Sequence, residues 1–243
     1  MSGPGNHAIL DRDSRLRKGQ KIRDLLARRR SLTNLRILDV GTGSGHAASV
    51  FLDAVRPDGE VCAVDRRRQL AAHGISFRLA ETTDIPFEDK SFDVVITNHV
   101  IEHVGEERDQ RHHLSEIRRV LKDDGLVYLA VPNRRAVWEH HYDLPFLSWL
   151  PRPAASWLLR ATRKGTDYDC RPLSAPELRN LLSAAGLSHE DITFEALRYM
   201  AKHEMGPTAG RVVGNCPDFI LRCLLPLSPT LVAMARKKRT DNA

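Results

Sequence analysis

The stretch ILDVGTGSG, residues 37–45, runs an apolar strand straight into three alternating glycines. Gly41, Gly43 and Gly45 carry no β-carbon, so the backbone can turn tightly and come close to a ligand. A helix that follows such a turn aims its free N–H groups at the same place. A dinucleotide fingerprint would need its third glycine at position 46, which is His46. The phosphate-cradling alternative fails as well, because no Gly-Lys-Ser/Thr follows. Working outward, the next apolar run ends VCAV and then Asp65. A carboxylate at the tip of the second strand, one crossover after the glycine turn, is placed to accept both hydroxyls of a ribose.

The rest of the chain repeats the same unit. Apolar runs at residues 35–40, 61–64, 76–79, 92–97 and 126–131 read as strands. Residues 14–30, 46–55 and 114–121 read as helices, the last stopped by Asp123-Asp124-Gly125. Strands that alternate with helices imply crossovers and a parallel sheet, and uniformly apolar strands imply burial on both faces. After Pro132 the texture changes, and residues 133–172 read as a cap inserted after the fifth strand. Ser174 with Glu177 forms a capping box that opens a further helix. Residues 187–197 and 228–236 read as two last strands, paired as an antiparallel hairpin at one edge. A second insertion, residues 198–227, lies between them. The expected fold is α/β: a doubly wound, Rossmann-like, seven-stranded, mostly parallel sheet. Both insertions are expected over the carboxyl ends of its strands. Residues 1–30 are a tail and helix, and residues 31–243 the main domain.

Composition narrows the class. The chain has 243 residues, 42% hydrophobic and 28% charged, enough for one domain with a real core. The net charge of +6 is scattered in short clusters such as Arg66-Arg67-Arg68, with no interleaved aromatics. A nucleic-acid partner is therefore not expected. Cys62, Cys170, Cys216 and Cys223 form no CxxC pair, which argues for a reducing, cytoplasmic setting. No apolar segment at the N-terminus suggests a signal peptide, and no run has the length of a membrane span. Weak association with a membrane surface stays open.

The chain resembles the class I S-adenosylmethionine-dependent methyltransferases, in particular the small-molecule branch of the ubiquinone and menaquinone pathways. The matching pieces are Asp39-x-Gly41-x-Gly43-x-Gly45, Asp65, Asp84-Ile85-Pro86-Phe87-x-x-x-Ser91-Phe92-Asp93, Val100-Ile101-Glu102-His103-Val104 and Leu121-Lys122-x-x-Gly125. The resemblance implies S-adenosylmethionine as cofactor. Carried over residue by residue, Asp39, Gly41, Gly43 and Gly45 hold the methionine moiety and Asp65 the ribose. Thr83 and Asp84 face the adenine, and Asn98 closes the pocket near the sulfonium. Arg66-Arg67-Arg68 departs from the family, which has a small or apolar residue after the acid. No metal ligand is assigned. His99-Val100-Ile101-Glu102-His103 matches an inverted zinc-protease pattern, but it follows a strand directly where that pattern needs a long helix.

The activity implied is methylation of a small-molecule acceptor, at oxygen or alternatively at carbon. A nucleic-acid methyltransferase is the rival enzyme, disfavoured because Asn98-His99-Val100-Ile101 stands where an Asn/Asp-Pro-Pro-aromatic motif would be. A non-catalytic, cofactor-binding partner subunit is the rival of another class. If the acceptor is a hydroxyl, a base must reach it. The candidates are His141 on the cap, with Glu139 to orient it, and His103. The apolar residues Trp138, Phe146, Trp149, Leu150, Trp157 and Leu158 either wall a bulky acceptor's pocket or form the cap's own core.

Overall fold

The computed structural model describes residues 12–139 and 142–238. Strands β1 (Arg36–Val40), β2 (Glu60–Asp65), β3 (Ser76–Leu79), β4 (Phe92–Asn98) and β5 (Leu121–Pro132) come first. β6 (Trp138–Glu139) and β7 (Leu144–Pro145) form a small separate ribbon, and β8 (Leu187–Asp191) and β9 (Thr230–Lys237) complete the main sheet. Its order is β3-β2-β1-β4-β5-β9-β8. The first five strands pair parallel, and β9 runs antiparallel to both β5 and β8. The expected seven-stranded, mostly parallel sheet is therefore present. The chain winds outward from β1 to β3 and then returns to β4 beside β1. That reversal opens a crevice at the carboxyl ends of β1 and β4, where open α/β sheets bind ligands.

The alternation of side chains explains why the central strands are buried on both faces. Leu38, Val40, Cys62, Val64 and Val95 pack against Leu114 and Ile117 of α3 (Glu107–Val120) and Leu178 and Leu182 of α5 (Ala175–Ala184). On the other face Ile37, Val61, Val94 and Ile96 meet Ile22, Leu25 and Leu26 of α1 (Arg12–Ala27). Helix α1 is thus a wall of the main core. The capping box of α5 forms as expected, with the Ser174 N–H donating to Glu177 at 2.8 Å.

Several boundaries differ from the expectation. Helix α2 covers only His46–Ser49 and continues as turns, not as a helix to residue 55. The Ser49 hydroxyl donates back to the His46 carbonyl at 2.8 Å, the kind of local bond that competes with helix. Asp123-Asp124-Gly125 does not end α3. The helix stops at Val120, and these residues lie inside a longer β5. Strand β8 ends at Asp191, and α6 (Thr193–His203) starts where the strand was expected to continue. Thr193 is buried and its hydroxyl oxygen accepts the Val232 N–H at 3.0 Å, so the turn into α6 is tied to β9. The pair β8–β9 is antiparallel at the edge as expected, but it is joined through helices: α6, α7 (Pro207–Asn215) and α8 (Asp218–Leu224).

The cap leaves β5 at its carboxyl end. Its return is pinned to the β4 exit, where the Arg171 N–H donates to the Glu102 carbonyl at 2.8 Å. The cap's core consists of Tyr142, Leu147, Ala155, Leu159, Tyr168 and Cys170, drawn partly from α4 (Arg152–Ala161). Trp138, Phe146, Trp149, Leu150 and Trp157 are exposed instead of forming that core, Trp157 by 65%. The Asn133 side chain donates to the carbonyls of Pro226 and Ser228, so the end of the second insertion also meets the carboxyl edge. Among the described residues no helix is long and apolar enough to cross a membrane.

Candidate active site

A cavity of about 450 Å³ opens over the carboxyl ends of β1, β2 and β4. Gly41, Asp65, Thr83, Asp84 and His103 all line it. Gly41 adopts φ +73°, and a β-carbon there would fall 2.4 Å from Val100 Cγ2, so this position needs glycine twice over. Gly43 and Gly45 shape the turn from behind. A β-carbon on Gly43 would meet the Arg15 guanidinium at 2.9 Å, and one on Gly45 would meet Leu70 at 2.3 Å.

Asp65 ties the two halves of the constellation together. Its Oδ2 accepts the Gly43 N–H at 2.8 Å and its Oδ1 accepts the Arg67 N–H at 3.0 Å. The carboxylate is thereby aimed along the glycine turn and held at the cavity wall. Asp84 is exposed on the opposite rim, 2.6 Å from His112 Nε2 and 2.9 Å from the Thr82 hydroxyl. The bond to His112 and that to Thr82 hold its carboxyl below the usual range.

Asp39 and Asn98 line a small adjoining pocket of about 40 Å³, which shares Gly41 with the main cavity and is closed by Arg15 of α1. Burial pushes the Asp39 carboxyl up to about 6, and the neighbouring Asp65 charge adds to this, while Thr42 and Arg15 oppose it.

The histidines divide by place. His141 lies outside the described residues. His103 lines the cavity, with Nε2 4.0 Å from Glu102 Oε1 and Nδ1 3.7 Å from Cys170 Sγ. Three neighbours of His103 were given no catalytic or binding role by the sequence reading. His113 is fully buried, 3.2 Å from the Thr97 hydroxyl, and burial drops it to about 4. Glu102 is completely buried, and neither oxygen accepts a hydrogen bond among the described residues. His99 has φ 57° and places Nδ1 3.3 Å from Glu102 Oε1. The last two share the H-x-x-E-H spacing that the sequence displays. His103, Asp169 and Cys170 bring their ligating atoms within 4.8 Å of one another and could hold a metal ion. Burial raises the Cys170 thiol well above its ordinary value, which opposes the thiolate that ligation needs.

The chain as a whole matches known proteins. The family model described as a methyltransferase domain matches residues 11–191. A protein of Mycolicibacterium smegmatis named as a probable S-adenosylmethionine-dependent methyltransferase is 29% identical over 161 residues, 64% of this chain and 52% of that protein. The ubiquinone biosynthesis O-methyltransferase of Bartonella tribocorum is 28% identical over 177 residues, 68% of this chain and 66% of that one. The chain spans about half the length of the first curated relatives it matches. Among solved structures, an S-adenosylmethionine-dependent methyltransferase from Mesorhizobium loti superposes with a TM-score of 0.59 at 15% identity, covering 88% of this chain and 96% of that one. That likeness establishes the fold.

Proposed function

This chain belongs to the class I S-adenosylmethionine-dependent methyltransferases, and from that premise we propose that it transfers the methyl group of S-adenosylmethionine to a small-molecule acceptor, at oxygen, with carbon as the alternative. The observation that carries the reading is the convergence of Gly41, Asp65, Thr83 and Asp84 on one cavity at the switch point of the sheet.

The residues present suit the cofactor. Asp65 keeps a carboxylate at the cavity wall for the ribose hydroxyls. Thr83 and Asp84 offer polar groups on the rim for the adenine. Gly41 brings bare backbone to the crevice. Asp39, in the adjoining pocket, would hold the methionine moiety, and Asn98 beside it would close the pocket near the sulfonium. When bound, the cofactor supplies a methyl group already activated by a sulfonium. The chain's share is to align the acceptor, exclude water and take up a proton. Alignment alone can supply about 7–11 kcal/mol.

Calorimetry with S-adenosylhomocysteine and with NAD tests the premise at this site. We expect binding of the first and none of the second; binding of NAD alone would falsify the reading. Labelled methyl transfer into a cell extract, followed by mass spectrometry, then identifies the acceptor. A labelled nucleic acid in place of a small molecule would overturn the acceptor class.

A further inference from the structure

A second, narrow cleft of about 30 Å³ lies under the cap, between the carboxyl end of β5 and the start of β9. Pro132, Trp138, Glu139, Tyr168 and Cys170 line it, and so does His99. His99 also lines the cofactor cavity, so its ring stands at the junction of the two spaces. His103 lines the cavity alone.

Three observations make this junction unusual. The first is Tyr168, which is 94% buried, its hydroxyl making no hydrogen bond among the described residues. A buried hydroxyl without a partner is costly unless something supplies one. Second, Glu102 is a fully buried carboxylate, equally unsatisfied, with Oε1 3.3 Å from His99 Nδ1. Catalytic hydrogen bonds are commonly long before the substrate binds and tighten afterwards. Third, His99 holds a left-handed backbone, φ 57°, pinned by its N–H to the Ala130 carbonyl at 2.9 Å. Such strain in a non-glycine residue persists where the surroundings impose it, and it gathers at active sites.

Resting on the methyltransferase reading above, we propose that the cleft receives the hydroxyl of the acceptor, that Tyr168 hydrogen-bonds its oxygen, and that His99 is the general base, held in position by Glu102. A histidine whose Nδ1–H faces a carboxylate presents Nε2 as its basic nitrogen. The acceptor's O–H bond breaks and its proton passes to His99 Nε2. The oxygen's electron pair forms the O–CH3 bond, and the pair of the broken S–CH3 bond stays on sulfur. Glu102 touches neither acceptor nor cofactor and is a positioning residue. Among the described residues, Glu102 faces the ring from its own turn, Glu139, Tyr168 and Cys170 line the cleft with it, and Asp65, Arg66, Glu81, Asp84, His103, Asp109 and His113 line the cavity with it.

The test offers labelled S-adenosylmethionine with catechol, 2-naphthol and 1-octanol as hydroxyl probes and aniline as an amine probe. We expect methyl ethers from hydroxyl probes. His99→Gln should lower kcat roughly 100-fold or more near neutral pH, with KM and calorimetric affinity for S-adenosylhomocysteine close to wild type. Its turnover should recover as the pH approaches the acceptor's own ionisation. Tyr168→Phe should act mainly on KM. Glu102→Gln should lower kcat, with Glu102→Asp restoring part of it. Wild-type kcat in His99→Gln overturns the proposal. So does transfer to aniline alone, the absence of any ether from a protein that binds S-adenosylhomocysteine, or turnover that requires an added divalent ion and is lost in EDTA. A protein that binds no S-adenosylhomocysteine fails at the earlier reading instead.

Discussion

Asp65 combines a structural role with the ribose-binding role proposed for it. It accepts the Gly43 and Arg67 N–H groups, so the carboxylate that faces the cavity also holds the glycine turn in shape. Asp65→Ala should weaken S-adenosylhomocysteine by about 1.5–3 kcal/mol, the worth of a hydrogen bond to a charged group. That is roughly 10- to 150-fold in Kd. Asp65→Asn keeps a carbonyl oxygen for Gly43 and should fall between wild type and Asp65→Ala. Calorimetry on the three proteins decides it, and equal affinities would remove Asp65 from the site. At Gly41 the backbone requires glycine for a reason the sequence only half shows. The turn chemistry predicted glycine, but the close approach of Val100 comes from a segment about sixty residues away.

At the scale of elements, α1 is the informative case. Its sequence reads as a basic helix of modest amphipathicity, grouped with the N-terminal tail. In the fold, Leu25 and Leu26 are fully buried against the sheet, and the same helix brings Arg15 to the glycine turn. Leu25→Ala should therefore cost about 2–5 kcal/mol, as expected for a leucine removed from a packed core. Urea denaturation followed by circular dichroism measures it. A loss under about 0.5 kcal/mol, ordinary for a surface site, would make α1 a separable arm. Elements were least legible at their ends. Helix α2 stopped early because Ser49 bonds back to His46, and β8 stopped early because Thr193 bonds to Val232. The second of these partners is distant in sequence, so no local pattern could reveal it.

Across the whole molecule, two buried groups set opposing pH dependences. Asp39 sits near 6 in the folded chain against an ordinary 3.8. The native state keeps a proton that the unfolded chain releases, so stability falls as pH rises from about 4 to about 6. His113 sits near 4 against an ordinary 6.5. There the unfolded chain binds the proton first, so stability falls as pH drops from about 6.5 to about 4. Each swing is on the order of 3 kcal/mol, and they largely cancel in the wild type. Asp39→Asn should leave a protein whose stability rises with pH between about 4 and 6.5. His113→Gln should leave one whose stability falls with pH between about 4 and 6. Urea midpoints at several pH values separate them, and three parallel curves would show that neither group titrates as described.

The fold class, the strand count, the glycine turn and the acid at the tip of β2 were all determined by local sequence. Each depends on periodicity, turn chemistry or spacing along a single segment, and the central strands β1, β2, β4 and β5 are apolar and buried along most of their length. The proposed acceptor side emerges only in three dimensions. Glu102 and Tyr168 look ordinary in sequence, and it takes the fold, with the cap returning to the β4 exit, to show that their buried polar atoms make no hydrogen bond among the described residues. Trp149 and Trp157 read as core or pocket and lie on the surface, since hydrophobicity alone does not say which side of a helix or loop the neighbours will cover. Local chemistry therefore identifies the half of the site built from one turn and one strand end, while the half built from segments seventy residues apart waits on tertiary contacts.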